Sequence, residues 1–295
     1  MEPTRRTIQL PWGPVSLLEW RPEDERGSTV VLLHGAGVDG SELSWGGVGP
    51  RLAAAGHRVI APDIPGYGDS PRPPWRGTQD RLVAFVGEFV DALGLDGYAL
   101  GGLSLGGGLT IGHILDRPGG VTGAILMGSY GIMDHMVEGP LGPPAHLLTW
   151  AMLRTGLLHL TLRAYGRNRR LLESSLRPLV RNPAERTPEL HDAVWRAAHR
   201  AGGFAMWEEW QHDQLLWNRS RTNYTARLDR FPVPALVVHG DRDTGVPIAR
   251  ARAAAERIPD ATLLEIRDAG HWVQRDRPDV VVPAMLEFLA RVNPA

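Results

Sequence analysis

The chain contains no cysteine and no lysine: all 32 residues of its Lys+Arg count are arginine. Without Cys there is no thiol nucleophile, no disulfide, no iron–sulfur cluster and no Cys-built zinc site. Without Lys there is no Schiff base, no pyridoxal-phosphate anchor, no Walker-type phosphate lysine and no Ser–Lys dyad. Long apolar runs are missing too, since no stretch approaches the ~20 residues that span a bilayer. The start, Met1-Glu-Pro-Thr-Arg-Arg-Thr-Ile8, lacks the apolar core of a secretion signal. Basic and acidic residues nearly balance, at a net charge of −1. No basic run or aromatic–basic alternation interrupts that balance, so nucleic-acid binding has no electrostatic footprint. These absences describe a soluble, cytoplasmic protein with no nucleic-acid or membrane partner and no metal or cofactor. Arginine without lysine fits the codon bias of a GC-rich bacterial genome.

What is present is a regular alternation. Thr7–Leu10 and Pro14–Glu19 read as a β-hairpin, with Trp12-Gly13-Pro14 supplying the turn. Short apolar runs then follow at Thr29–Leu33, Arg58–Ala61, Gly97–Leu100, Gly123–Met127, Ala235–Val238 and Ala261–Ile266. Unbroken runs of this kind suit strands buried on both faces of a parallel sheet. Between them, Asp80–Leu93, Leu105–Leu115, Ile248–Ile258 and Asp279–Val292 carry apolar residues at helical spacing. Strand and helix in alternation predict an α/β fold, a mainly parallel sheet with helices on both faces.

One stretch breaks the pattern. Residues 131–230 show only helix-like segments cut by Pro and Gly: Ala145–Tyr165, Arg169–Val180, Pro188–Ala201 and Phe204–Leu216. The stretch holds 14 of the arginines but 10 of the acids, which makes it basic over an acidic remainder. A length of 295 residues therefore divides into a core of 1–130 with 231–295 and a helical insertion of 131–230.

The most informative segment is Leu100-Gly-Gly-Leu-Ser104-Leu-Gly-Gly-Gly108, which follows an apolar strand and opens an apolar helix. Gly102 and Gly106 flank Ser104 two residues to either side, the G-x-S-x-G nucleophile-elbow pattern. Turning from strand to helix within about one residue holds the serine in a strained conformation, and side chains at the flanking positions would collide. A plainer alternative is a Gly-rich turn whose serine caps the helix. A dinucleotide fingerprint fits no frame, because Leu103 and Ser104 fall where Gly is needed. Two further polar loops, His239-Gly-Asp-Arg-Asp243 and Asp268-Ala-Gly-His271-Trp272, follow the last two strands. Strand ends of that polarity face the ligand crevice of an open parallel sheet, so Ser104, Asp243 and His271 can converge there.

With these segments in view, the whole chain resembles the α/β-hydrolase superfamily, in its capped esterase, epoxide-hydrolase and C–C-hydrolase branch. The resemblance rests on His34-Gly-Ala-Gly37, Ala61-Pro-Asp-Ile-Pro-Gly-Tyr-Gly-Asp-Ser70, Gly102-Leu-Ser-Leu-Gly106, Gly240-Asp-Arg-Asp-Thr-Gly-Val-Pro247 and Gly270-His-Trp-Val-Gln-Arg-Asp-Arg-Pro278, in the family's order. It implies Ser104 as nucleophile, His271 as general base and Asp243 as the acid that orients it. Serine at the elbow disfavours the dehalogenase and epoxide-hydrolase chemistries, which use Asp there. The same resemblance implies an oxyanion hole from the backbone N–H groups of Ala36 and Leu105. It makes His34 and Asp63 structural residues of their loops, and Asp241 a turn residue. The insertion corresponds to the family's cap, and Gly37, Met127, Trp207, Trp210, Trp217 and Trp272 are the candidate walls of an apolar or aromatic pocket.

Three functions fit that reading. The leading one is hydrolysis of a small carboxylic ester. The second is C–C hydrolysis of a vinylogous diketone, suggested by His271-Trp272-Val-Gln274, which resembles the meta-cleavage-product hydrolases. Val38-Asp39 departs from the Pro/Gly-rich loop those enzymes carry. The third is a receptor or tailoring member that keeps the triad and uses the pocket alone.

Overall fold

A computed structural model of the protein describes residues 1–135, 141–200 and 204–293. Its centre is an eight-stranded sheet in the order β1-β2-β4-β3-β5-β6-β7-β8. The strands are β1 (Thr4–Leu10), β2 (Gly13–Trp20), β3 (Thr29–Leu33), β4 (Arg58–Pro62), β5 (Tyr98–Leu103), β6 (Val121–Met127), β7 (Ala235–Gly240) and β8 (Ala261–Ile266). Only β1–β2 and β2–β4 pair antiparallel; the other neighbours are parallel. All eight strands coincide with segments legible in the sequence, and the α/β class stands.

The opening turn differs from expectation. Leu10 pairs with Gly13 and Gln9 with Pro14, so Pro11-Trp12 forms the turn and Gly13-Pro14 begin β2. A two-residue connection lets the hairpin zip to its end, and Pro14 is tolerated because it lies at the start of its strand.

Both sheet faces are buried, each by alternate residues of the same strands. On one face Val31, Leu33 and Leu100 meet Leu82, Phe85 and Phe89 of α3 (Gln79–Ala92) and Leu109 of α4 (Leu105–Asp116). Ala251 and Ala254 of α10 (Ile248–Arg257) extend that cluster. On the other face Val30, Leu32, Val59 and Ile125 meet Leu52 of α2 (Gly49–Ala54) and Val281, Met285 and Leu289 of α12 (Pro278–Val292). Two-sided burial is why these strands read as continuous apolar runs.

Between β6 and β7 the described chain holds five α-helices: α5 (Gly142–Arg154), α6 (Leu157–Gly166), α7 (Arg169–Leu179), α8 (Pro188–Ala198) and α9 (Ala205–Gln214). The helix expected over Ala145–Tyr165 is in fact two. Gly156, at φ 76°, takes the left-handed conformation that ends α5 before α6 begins. Asn168 and Thr187 cap α7 and α8 through their side chains. The C-terminal residue expected for α8, Ala201, lies outside the described residues.

Candidate active site

Ser104 alone turns the chain from β5 into α4, at φ 53° and ψ −113°. Among the described non-glycine residues only Asp268 shares a positive φ, and such a conformation persists only where its surroundings enforce it. They do so through the flanking glycines. A Cβ on Gly102 would lie 2.2 Å from the Gly106 carbonyl carbon, and one on Gly106 would lie 2.2 Å from the Leu33 carbonyl oxygen. The Ser104 N–H donates to the Met127 carbonyl at 2.8 Å, and its own carbonyl accepts from Gly108 and Tyr130. The hydroxyl makes no capping hydrogen bond to α4, so the plain turn-and-cap alternative does not describe this serine.

Strands β7 and β8 pair in parallel through Gly240 and Ile266, so the loops leaving them lie side by side. The first carries Asp243 and the second His271, and His271 Nδ1 stands 2.8 Å from Asp243 Oδ2. The other Asp243 oxygen accepts the N–H groups of Gly245 and Val246 at 2.7 and 2.9 Å. Burial opposes ionisation of Asp243, but the hydrogen bond and charge of His271, with His239 and the Val246 N–H, outweigh it and hold the carboxyl below its ordinary value. An ionised Asp243 keeps the proton on His271 Nδ1 and leaves Nε2 as the free base. The pair rests against Gly128 at the end of β6, where a Cβ would come within 3.1 Å of both side chains.

The His271 loop is fastened to the insertion. Asp276, buried in α11 (Val273–Asp276), accepts the Gly270 N–H with one oxygen and the Asn182 N–H with the other, both at 2.6 Å. The Trp272 N–H donates to the Leu179 carbonyl at 2.8 Å. Leu179 ends α7, so the insertion and the His271 loop share hydrogen bonds.

The loop after β3 is equally determined. Buried His34 donates from Nδ1 to the Gly35 carbonyl at 2.7 Å and accepts the Ile64 N–H on Nε2 at 2.9 Å. Both ring nitrogens are engaged, which fits the structural role expected of it. Buried Asp39 accepts the Gly35 and Gly40 N–H groups at 2.7 Å each and the Ser44 hydroxyl. Asp63 accepts from the Ser41 and Asp69 N–H groups and from Arg5. The Gly106 N–H donates to the His34 carbonyl at 3.1 Å, drawing this loop to the start of α4. There the Ala36 and Leu105 N–H groups donate to no acceptor among the described residues.

A model of the alpha/beta hydrolase fold matches residues 28–278. The chain belongs to that family. The 2-hydroxy-6-oxo-6-(2'-aminophenyl)hexa-2,4-dienoic acid hydrolase of Metapseudomonas resinovorans is 29% identical to this α/β hydrolase over 272 residues, 91% of this chain and 86% of its own. A solved serine hydrolase involved in carbazole degradation is 25% identical at a TM-score of 0.75, covering 98% of this chain and 99% of that one. A thermophilic esterase from Thermogutta terrifontis shares the fold at a TM-score of 0.73 and 22% identity, covering 98% and 99%.

In this α/β hydrolase Ser104 and His271 line one cavity of about 180 Å³, together with Ala36 and Gly37. Trp207 and Trp272, two of the expected pocket residues, also line it. Three expected wall residues lie elsewhere. Trp217, beyond the end of α9, is 63% exposed. Trp210 turns into the core, donating from Nε1 to Gln79 at 2.8 Å and meeting Tyr130 edge-on. Met127 is wholly buried among the sheet's other apolar residues. Periodicity marks such residues as apolar but does not say which face of a docked helix or strand they occupy. Besides Gly35, the other walls were not named as such from sequence: Val38, Tyr165, Ser175, Leu176, Leu179, Val194 and Phe204. The apolar spacing of Leu172, Leu176 and Leu179 along α7 was the available signal.

Proposed function

We propose that this α/β hydrolase is a serine hydrolase cleaving a small carboxylic ester through an acyl-enzyme on Ser104. The observation that carries the reading is that His271, paired with Asp243, lines the same cavity as Ser104. His271 Nε2 takes the Ser104 proton as the oxygen attacks the carbonyl, and Asp243 stabilises the imidazolium that forms. The Ala36 and Leu105 N–H groups, free of other acceptors, receive the oxyanion. His271 returns the proton to the leaving alcohol, then activates a water that releases the acyl group. Residues 131–230 act as a cap, since most of the apolar walls come from that insertion.

An ester is favoured because the described walls hold no arginine: beside the apolar residues they offer only Ser104, His271 and the hydrogen-bonded pair Tyr165 and Ser175. A substrate carboxylate would be desolvated there without a cation. C–C hydrolysis is the second reading, supported by relatives such as the dienoic acid hydrolase and by the His271-Trp272-Val-Gln274 string.

The test offers p-nitrophenyl acetate and butyrate to the wild type and to Ser104→Ala. Hydrolysis by the wild type, labelling by a fluorophosphonate, and a loss of at least ~10⁴-fold in the variant are expected. Faster consumption of a meta-cleavage dienoate than of any ester would establish the second reading. Tight binding of these compounds with no turnover would instead mark a receptor.

A further inference from the structure

Apart from Met1, every large apolar side chain left exposed among the described residues belongs to the helical insertion. Single exposed leucines are ordinary, but a concentration on one element marks a contact surface. On α5, Gly142, His146 and Leu153 form the buried stripe, while Leu147 and Leu148 lie off it, Leu148 at 62% exposure. Helix α6 is odder still. It carries four leucines in ten residues, yet its only buried residue is Gly166, and Leu157 and Leu160 are 49% and 62% exposed. The two helices are consecutive and packed on each other, so neither the other helix nor the core covers these side chains.

The rim of this face is cationic. Arg154 ends α5, Arg163 and Arg167 follow Leu160 at one-turn intervals, and Arg170 comes next; all four are exposed. Nearby acids are already engaged: Arg169 holds Glu173 and Asp192, and His159 holds Glu208. None of the four arginines pairs with an acid among the described residues. A second copy of the chain would set such a rim against its own kind. An anionic surface complements it, and leucine beside arginine on short helices is the composition of interfacial rather than spanning segments.

We propose that the α5–α6 face docks on an anionic lipid surface. Leu147, Leu148, Leu157 and Leu160 enter the acyl boundary, and Arg154, Arg163, Arg167 and Arg170 meet the headgroup phosphates. The acidic remainder of the molecule turns away from the same surface, which fixes the orientation. This departs from the expectation of no membrane partner. That expectation rested on spanning length, and no described helix is long and apolar enough to cross a bilayer; lying on a surface has no such requirement.

Flotation with phosphatidylcholine vesicles, with and without about one third phosphatidylglycerol, tests the proposal. The wild type should float with the anionic vesicles and be released by high salt. Leu148→Asp with Leu160→Asp should abolish flotation. Arg163→Gln with Arg167→Gln should weaken it roughly 20-fold or more, about fivefold for each charge. Unchanged circular dichroism and fluorophosphonate labelling would show that the variants fold. Ser104→Ala should float like the wild type, so failure of the hydrolase reading leaves this test standing. No flotation on anionic vesicles, or equal flotation of wild type and variants, overturns the proposal. So does a dimer in lipid-free solution that the two aspartates split, because the face would then cover a second copy.

Discussion

Single residues carry two further expectations. Asp243→Asn keeps the shape of the triad but removes the charge that holds the His271 tautomer, and kcat should fall by about 10⁴-fold with little change in KM. Steady-state kinetics on a p-nitrophenyl ester measures both. His113 lies far from that chemistry, its Nε2 3.2 Å from the Tyr98 hydroxyl. Burial, then the neighbouring Arg117, hold its imidazole down at about 4, against an ordinary ~6.5. Between those values the unfolded chain binds a proton that the folded chain refuses. Stability is therefore full above about pH 6.5 and falls by up to ~1.4 kcal/mol per unit as pH drops toward 4. Urea midpoints at pH 7 and pH 5 should converge for His113→Gln and diverge for the wild type. His113 gave no sign of this in the sequence, because its partner is set by how α4 packs on β5. Ser104, Asp243 and His271 were legible because each follows a strand and is flanked by glycines that its loop requires.

Elements are held by contacts finer than their apolar patterns. Gly106→Ala would place a methyl against the Leu33 carbonyl, where backbone rather than a flexible side chain must yield. It should cost about 1–3 kcal/mol and displace the elbow, read as a lower melting temperature together with lost fluorophosphonate labelling. Asp276→Ala strands the N–H groups of Gly270 and Asn182, and each unsatisfied buried donor costs about 1–3 kcal/mol. Because Gly270 precedes His271, the proposed base, kcat should drop along with stability, by a measure that Asp276→Asn partly restores. The sequence offered the strands and the longer helices within a few residues, but not α2 or α11. It could not offer these ties, since Asn182 and Asp276 lie 94 residues apart and no local pattern links them. The break at Gly156 shows the same limit from the other side, as leucine periodicity runs straight through a glycine that ends the helix.

For the molecule as a whole, the uneven charge visible in the sequence acquires a direction only once the insertion is folded. Uncovered leucines and unpaired arginines lie together along α5, α6 and the start of α7, within an insertion that is basic over an acidic remainder. Salt should therefore weaken vesicle binding while leaving hydrolysis of a soluble neutral ester unchanged, a comparison that one preparation can supply. The two halves of the insertion also differ in attachment. Helices α5 and α6 bury little, whereas the end of α7 is bonded to the His271 loop through Leu179, Asn182 and Asp276. This bonding makes the insertion part of the engine rather than a removable cover. A chain trimmed to its sheet and flanking helices would lose the partners that seat His271, so it would not survive as a minimal, broad-specificity hydrolase. Exchange of caps between relatives should succeed only when the junction around residue 180 travels with the graft, and α5 and α6 are the portion free to diverge.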